Sequence, residues 1–203
     1  MLILVRHGQT AVNAEGRLLG RADPPLTDLG LRQAGALAGT VRRGVAAPVR
    51  LVSSPLARTR ETAAALGLGL PVEVDQRWVE LDYGEFEGRP LADVPVVVWD
   101  TWRADPGWAP PGGESLRAVG ERVRAACGDL AQEAAEADVV VVSHVSPIKA
   151  AVAWALGVDD AVAWRMFLDL AAVCRIRTGS SGPALVSFNE RPAPAGPPPQ
   201  RRD

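Results

Sequence analysis

Two histidines are all that this chain contains, and each stands at the end of an apolar run: His7 in LILVRHG and His144 in VVVVSHV. Arg6 precedes the first of them, and Arg58 follows a third apolar run in LVSSPLARTR. A histidine with one unprotonated ring nitrogen can act as a nucleophile, and arginines present flat, permanently charged forks matched to phosphoryl oxygens. A phosphoryl group in transfer spreads negative charge over three oxygens, so Arg6, His7, Arg58 and His144 together suit phosphoryl chemistry. No metal-ligand spacing accompanies them, and the expected chemistry needs neither metal nor cofactor. Departure of the leaving oxygen requires a proton. Glu80, in WVELDYGEFEG, follows the strand-like pair Trp78 and Val79 and is the favoured acid, with Glu85 and Glu87 as competitors in positions that read as more solvent-facing.

These residues must be brought together by the elements that carry them. Apolar, β-branched runs recur at 2–5, 49–52, 71–74, 139–142, 174–176 and 185–188, and helical periodicity fills most of the gaps between them. Thr27 is placed to cap a helix over 28–42, and Pro55 suits the first turn of one reaching 66. A long amphipathic helix is expected over 114–136 behind PPGG. Ser146 is the expected cap, and Pro147 the first turn, of a helix ending near Gly157. Strands alternating with helices predict an α/β fold: a three-layer, doubly wound, mostly parallel sheet with helices on both faces. The turn Gly179, Ser180, Ser181 and Gly182 breaks the alternation and predicts a terminal hairpin with one antiparallel edge strand. In such a sheet the carboxyl ends of the strands are where ligands bind, and those are the ends that carry His7 and His144.

The chain has 203 residues, enough for one well-buried core. One domain is expected over 1–190, with a small cap inserted at about 91–113, where Trp99, Trp102 and Trp108 lie among prolines and glycines. The tail at 191–203, RPAPAGPPPQRRD, has a disorder-type composition. A net charge of −2 with 23% charged residues supplies no basic field for nucleic acid. No run is long enough to span a bilayer, and the N-terminus lacks signal-peptide features, so a cytoplasmic protein is expected. Cys127 and Cys174 read as buried free thiols. Lys149 is the single lysine among 22 basic residues, against an alanine-rich, arginine-rich background that reads as genome composition.

The blocks LVRHGQT, PLTDLGLRQA, SSPLARTRETA, VELDYGEFEG and VVSHVSPIKA resemble, in order and spacing, the histidine phosphatase superfamily, which includes the cofactor-dependent phosphoglycerate mutases. The resemblance covers nearly all of 1–190. It implies that His7 attacks phosphorus, that Glu80 protonates the leaving oxygen and then activates water, and that Arg6, Arg58 and His144 hold the equatorial oxygens. Asn13 matches the family's asparagine near the phosphoryl group. Leu19, Gly20, Tyr83 and Val145 are implied at the substrate, whereas Gln9 and Thr10 are expected mainly to shape the loop. Glu80 acting as acid beside a neutral His7 places the expected pH optimum on the acid side of neutrality.

Departures from the family pattern narrow the function. Leu19 stands where relatives often carry Gln, Ser or Thr, and Val145 replaces the glycine that usually follows the second histidine. Leu81 and Asp82 stand where mutases usually carry Arg and His, and Asp82 would repel a second phosphate. Beyond Arg89, Arg103 is the only base in the cap. The expected activity is therefore a metal-independent phosphomonoesterase of a small phosphorylated metabolite, acting as a monomer or homodimer. A cofactor-dependent mutase and a non-catalytic phospho-ligand binding module are the alternatives. The VSHVSPIK block is similar to acid phosphatase domains that some actinobacterial proteins carry behind a ribonuclease H domain, and to α-ribazole phosphatase relatives.

Overall fold

In the computed structural model, which describes residues 1–43, 45 and 48–192, six strands form one sheet. These are β1 (Leu2–Arg6), β2 (Pro48–Ser53), β3 (Val72–Val74), β4 (Asp138–Ser143), β5 (Val173–Arg177) and β6 (Ala184–Glu190), in the order β3-β2-β4-β1-β5-β6. The first four are mutually parallel. The terminal hairpin supplies the one strand of opposite sense, β5, which pairs with β1, and β6 then forms the edge.

Alternation of side chains along the strands separates two cores. Leu2, Leu4, Val139, Val141, Cys174 and Ile176 face one side, against α5 (Leu116–Glu136) and α6 (Val145–Leu156). Ile3, Val5, Val140, Val142 and Val173 face the other, against Leu37 and Val41 of α2 (Asp28–Arg42) and Ala63 of α3 (Ala57–Ala65). Strands buried on both faces explain why β1 and β4 read as unbroken apolar runs. Each fully buried aliphatic side chain of this kind contributes about 1.5–3 kcal/mol. Cys127 and Cys174 are free and buried, as expected.

Several local expectations are corrected. Pro55 precedes α3, whose first residue is Ala57, and its N-terminal amide is capped by the remote Asp23 carboxylate at 2.6 Å. The residue that opens α6 is His144, not Ser146, and Ser146 lies within the first turn. Trp78 ends a short 3-10 turn (Gln76–Trp78) instead of a strand, pinned where Ser143 donates to its carbonyl at 2.6 Å. Two helices were not anticipated: α1 (Ala11–Ala14), held by a capping box between Thr10 and Asn13, and α4 (Val96–Ala104), which lies within 91–113. The expected disordered tail, beyond Arg191 and Pro192, lies outside the described residues.

Candidate active site

Parallel neighbours bring the site together. β2, β4 and β1 lie side by side, with Arg6 opposite Ser143 and Ser53 opposite Val142. The pairing extends one residue past each strand end, His7 N donating to Ser143 O at 3.1 Å and Ser54 N to Val142 O at 3.0 Å. His7, His144 and Ser54 are thereby lined up across the carboxyl ends of the three central parallel strands. The two imidazoles meet edge to face with centroids 5.1 Å apart.

The His7 ring is oriented by its own loop. Its Nδ1 lies 2.7 Å from the Gly8 carbonyl, so Nδ1 carries the proton and donates, leaving a lone pair on Nε2. The loop is in turn fixed to α3 by Gly8 N donating to Thr62 Oγ1 at 3.2 Å, and to α2 by Gln9 N donating to Gln33 at 2.9 Å. Gln9 also accepts from the Thr27 hydroxyl, and Thr10 caps α1, so both shape the loop and neither borders the cavity described below. Ala171, with φ of +50°, donates its amide to the His7 carbonyl at 3.0 Å, and so a backbone turn in a strained region buttresses this residue.

His144 is fully buried beneath His7, and both of its nitrogens are engaged. Arg58 Nε donates to Nδ1 at 3.2 Å, which requires the proton on Nε2, 2.7 Å from Ser54 Oγ. Arg58 is itself buried, its other two nitrogens donating to the Ala22 and Gly20 carbonyls at 2.7 Å each. Three of its five N–H groups are thus committed. Gly20 serves the site through that carbonyl. Its amide is held by Glu87 at 2.9 Å, and a Cβ on it would sit 2.4 Å from the Leu81 carbonyl, which excludes any other residue without movement.

The three candidate carboxylates separate clearly. Glu87 is occupied by the 20–21 backbone and Glu85 is exposed, whereas Glu80 is buried and borders the cavity. Glu80 Oε1 accepts from Leu81 N at 2.7 Å and from Ser146 N, in the first turn of α6, at 3.2 Å. Oε2 is left without a protein partner among the described residues. Arg122 donates to the Arg77 carbonyl at 2.6 Å and so steadies the segment that leads into this acid. Next along the chain, Gly84 adopts φ of +52°, and a Cβ there would lie 2.1 Å from the Pro111 carbonyl. Asp82 turns its carboxylate onto the Gly84 amide at 2.9 Å.

A cavity of about 810 Å³ opens over these groups, bordered by Arg6, His7, Asn13, Leu19, Glu80, Tyr83 and Val145. Arg58, His144 and Gly20 lie beneath it instead of on its wall. Arg6 is anchored by donating to the Leu168 carbonyl at 2.5 Å, while its Nε is buried without a partner. Asn13 uses Oδ1 to accept from Thr10, which leaves its NH2 for the cavity. Sequence reasoning missed Ser54, Thr62, Glu87 and the 168–172 loop as supports, and also Arg32, an exposed cavity-lining arginine on α2. For Ser54 a signal existed in the polar SSP that ends an apolar run; for the others no local pattern marks the role.

Burial holds both imidazoles well below the usual value of 6.5, with the Arg58 charge next in importance for each and Arg6 acting in the same direction. The unfolded chain therefore takes up protons near pH 6.5 that the folded chain refuses, and stability is lost as pH falls from about 6.5 toward the depressed folded values. Each histidine should remove about 1.4 kcal/mol per pH unit within that window. Denaturant unfolding at pH 7.5 and 5.5 measures this, and a His7→Gln/His144→Gln double variant should lose most of the slope. An unchanged slope in that variant would assign the acid lability to other groups.

The family follows from comparison with known proteins. A family model described as histidine phosphatase superfamily (branch 1) matches residues 2–191. The chain belongs to this superfamily. Similar proteins include one named as a bifunctional protein in Mycobacterium tuberculosis, 42% identical over 179 residues that cover 85% of this chain and 48% of that protein. The chain thus spans about half the length of that relative. A probable phosphoglycerate mutase of Yersinia pestis is 37% identical over 149 residues, covering 70% of this chain and 67% of the relative. Among solved structures, mycobacterial glucosyl-3-phosphoglycerate phosphatase complexed with VO3 superposes with a TM-score of 0.82 at 34% identity, over 93% of this chain and 98% of that one. The comparisons thus establish the superfamily and the mixed α/β fold. Among the described residues no helix is long and apolar enough to cross a membrane.

Proposed function

We propose that this chain is a phosphomonoesterase that hydrolyses a small phosphorylated metabolite through a phosphohistidine on His7. The observation that carries the reading is the pairing on one cavity wall of an imidazole whose Nε2 keeps its lone pair and a carboxyl whose Oε2 is unengaged. In this reading Nε2 attacks phosphorus as the P–O ester bond breaks, and Glu80 delivers a proton to the departing oxygen. Glu80 then takes a proton from water, whose oxygen attacks phosphorus and returns His7 with release of inorganic phosphate. Arg6, on the cavity wall, stabilises charge on the equatorial oxygens directly, while Arg58 and His144, beneath it, reach them by side-chain shifts in which the His144 N–H exchanges Ser54 for phosphate. A binding module would need neither the nucleophile nor the acid.

Hydrolysis is favoured over isomerisation by what 91–113 brings to the cavity, since the bordering Arg17, Arg32 and Arg191 lie outside that segment. From 91–113, Leu91 alone reaches its wall, while Arg103 pairs with Asp100 and lies over the Trp164 ring at 5.7 Å. That segment therefore brings no base to hold a second phosphate. The relative's mutase name and the neighbour's phosphatase name mark the two outcomes to be separated. We place the enzyme in the cytoplasm as a monomer or homodimer.

The test is turnover in EDTA of a panel containing p-nitrophenyl phosphate, sugar phosphates, α-ribazole phosphate, and 3-phosphoglycerate with and without 2,3-bisphosphoglycerate. Release of inorganic phosphate, undiminished by EDTA, is expected. Formation of 2-phosphoglycerate without phosphate release would establish the mutase instead, and a strict demand for added divalent metal would overturn the metal-independent mechanism.

A further inference from the structure

A second, smaller cavity of about 170 Å³ adjoins the first, sharing Leu18, Tyr83, Leu91 and Val145 with it. Its size approximates the cavity of about 150 Å³ that accommodates a benzene ring in an engineered protein core. Trp99, Trp102 and Trp164 form most of its aromatic wall, Trp99 and Trp102 stacked at 5.8 Å and both meeting Trp164 edge to face. Into this apolar surround the chain places its single lysine. Lys149 Nζ donates to the Ala163 carbonyl at 3.0 Å and has no carboxylate partner among the described residues.

The charged and indole groups here are all donors, although the Ser146 and Tyr83 hydroxyls also line the pocket. An ammonium has three N–H donors, and one carbonyl uses one of them. The indole N–H groups of Trp102 and Trp164 are buried without any partner. A half-buried cation on apolar walls costs free energy that a methionine at 149 would avoid, and the two orphaned indole donors add a cost of their own. What such a pocket lacks is an acceptor carrying negative charge.

We propose that this side pocket receives a carboxylate on the alcohol portion of the substrate, with Lys149 as its charge partner and the tryptophans flanking the short apolar body that carries it. The substrate class is then a phosphomonoester with a carboxylate-bearing leaving alcohol. Burial and the nearby Arg6 charge depress the ammonium of Lys149 against a smaller opposing pull from Glu80, and an anionic ligand would relieve the remaining cost. The turnover arm of the inference rests on the phosphatase reading; its binding arm does not.

The experiment compares phosphate esters of 3- and 4-(hydroxymethyl)benzoic acid with those of the matching primary amides and methylbenzyl alcohols. Wild-type protein should prefer the carboxylates by at least about 10-fold in kcat/KM, mainly through KM, since a charge-assisted hydrogen bond in a desolvated site is at stake. Lys149→Gln should bring that ratio to within about 3-fold of unity, and Lys149→Arg should restore part of it. The matching benzylphosphonates, titrated calorimetrically, give the same comparison without turnover. Carboxylate-dependent binding with no hydrolysis of any ester would sustain this inference while removing the phosphatase reading. Equal wild-type binding of carboxylate and amide, or a preference that persists in Lys149→Gln, would overturn it, whether or not phosphate is released.

Discussion

His7→Ala should lower the rate of phosphate release by at least about 10⁴-fold with every ester tested, because it removes the only proposed bond-forming atom. The loss should lie in kcat, and no phosphoryl label should be retained by protein quenched at alkaline pH, where phosphohistidine survives. The fold should tolerate the change. His7 is held through its ring by one bond to its own loop, and that loop stays anchored through Gly8 to Thr62 and Gln9 to Gln33. Removing a buried group that resists protonation also eliminates part of the acid lability. Residual turnover within 10-fold of wild type would mean that another group attacks phosphorus, and the phosphohistidine reading would fail.

Glu80→Gln gives the second large effect, and its form is more informative than its size. A glutamine can still accept from Leu81 N and Ser146 N through Oε1, so the backbone geometry around the acid should persist. What disappears is proton transfer at the other oxygen. With an alkyl phosphate, whose leaving oxygen must be protonated, the loss should be about 10²–10⁴-fold and should fall on the first step. With p-nitrophenyl phosphate the first step needs little help, but water attack on the phosphoenzyme still lacks its base. A rapid burst of about one equivalent of p-nitrophenol followed by slow turnover is therefore expected. Equal steady-state losses without a burst would remove Glu80 from the leaving-group role.

The separation of these two roles depends on features of different legibility. Glu80 is distinguishable in the sequence as the carboxylate after Trp78 and Val79, although that pair closes a 3-10 turn and not a strand. Its decisive properties are contacts with Ser146 and an exclusion of its rivals, Glu87 being taken by the Gly20 and Arg21 amides. Neither can be read from the local chain, because the partners lie 66 or 67 residues away. The cap tryptophans make the same point. Sequence alone could offer packing or ligand stacking, whereas the structure shows Trp102 at the centre of an aromatic cluster with Tyr83, Trp99, Trp108 and Trp164.

By itself the sequence determined the strands, most of the helices and the placing of His7 and His144 at strand ends. Those features follow from periodicity and from the abrupt stop of apolar runs, which are properties of neighbouring residues. Family motifs then assigned chemical roles to Arg6, Arg58, Glu80 and Asn13. The tertiary structure alone decided that Arg58 and His144 lie beneath the cavity, bound to Gly20, Ala22 and Ser54, while His7 and Glu80 line it. It also decided that, among the described residues, Lys149 stands beside the tryptophans without a carboxylate partner. The physical reason is that burial and hydrogen-bond partnership depend on which distant carbonyls and side chains the folded loops bring within about 3 Å, and no local pattern encodes that distance.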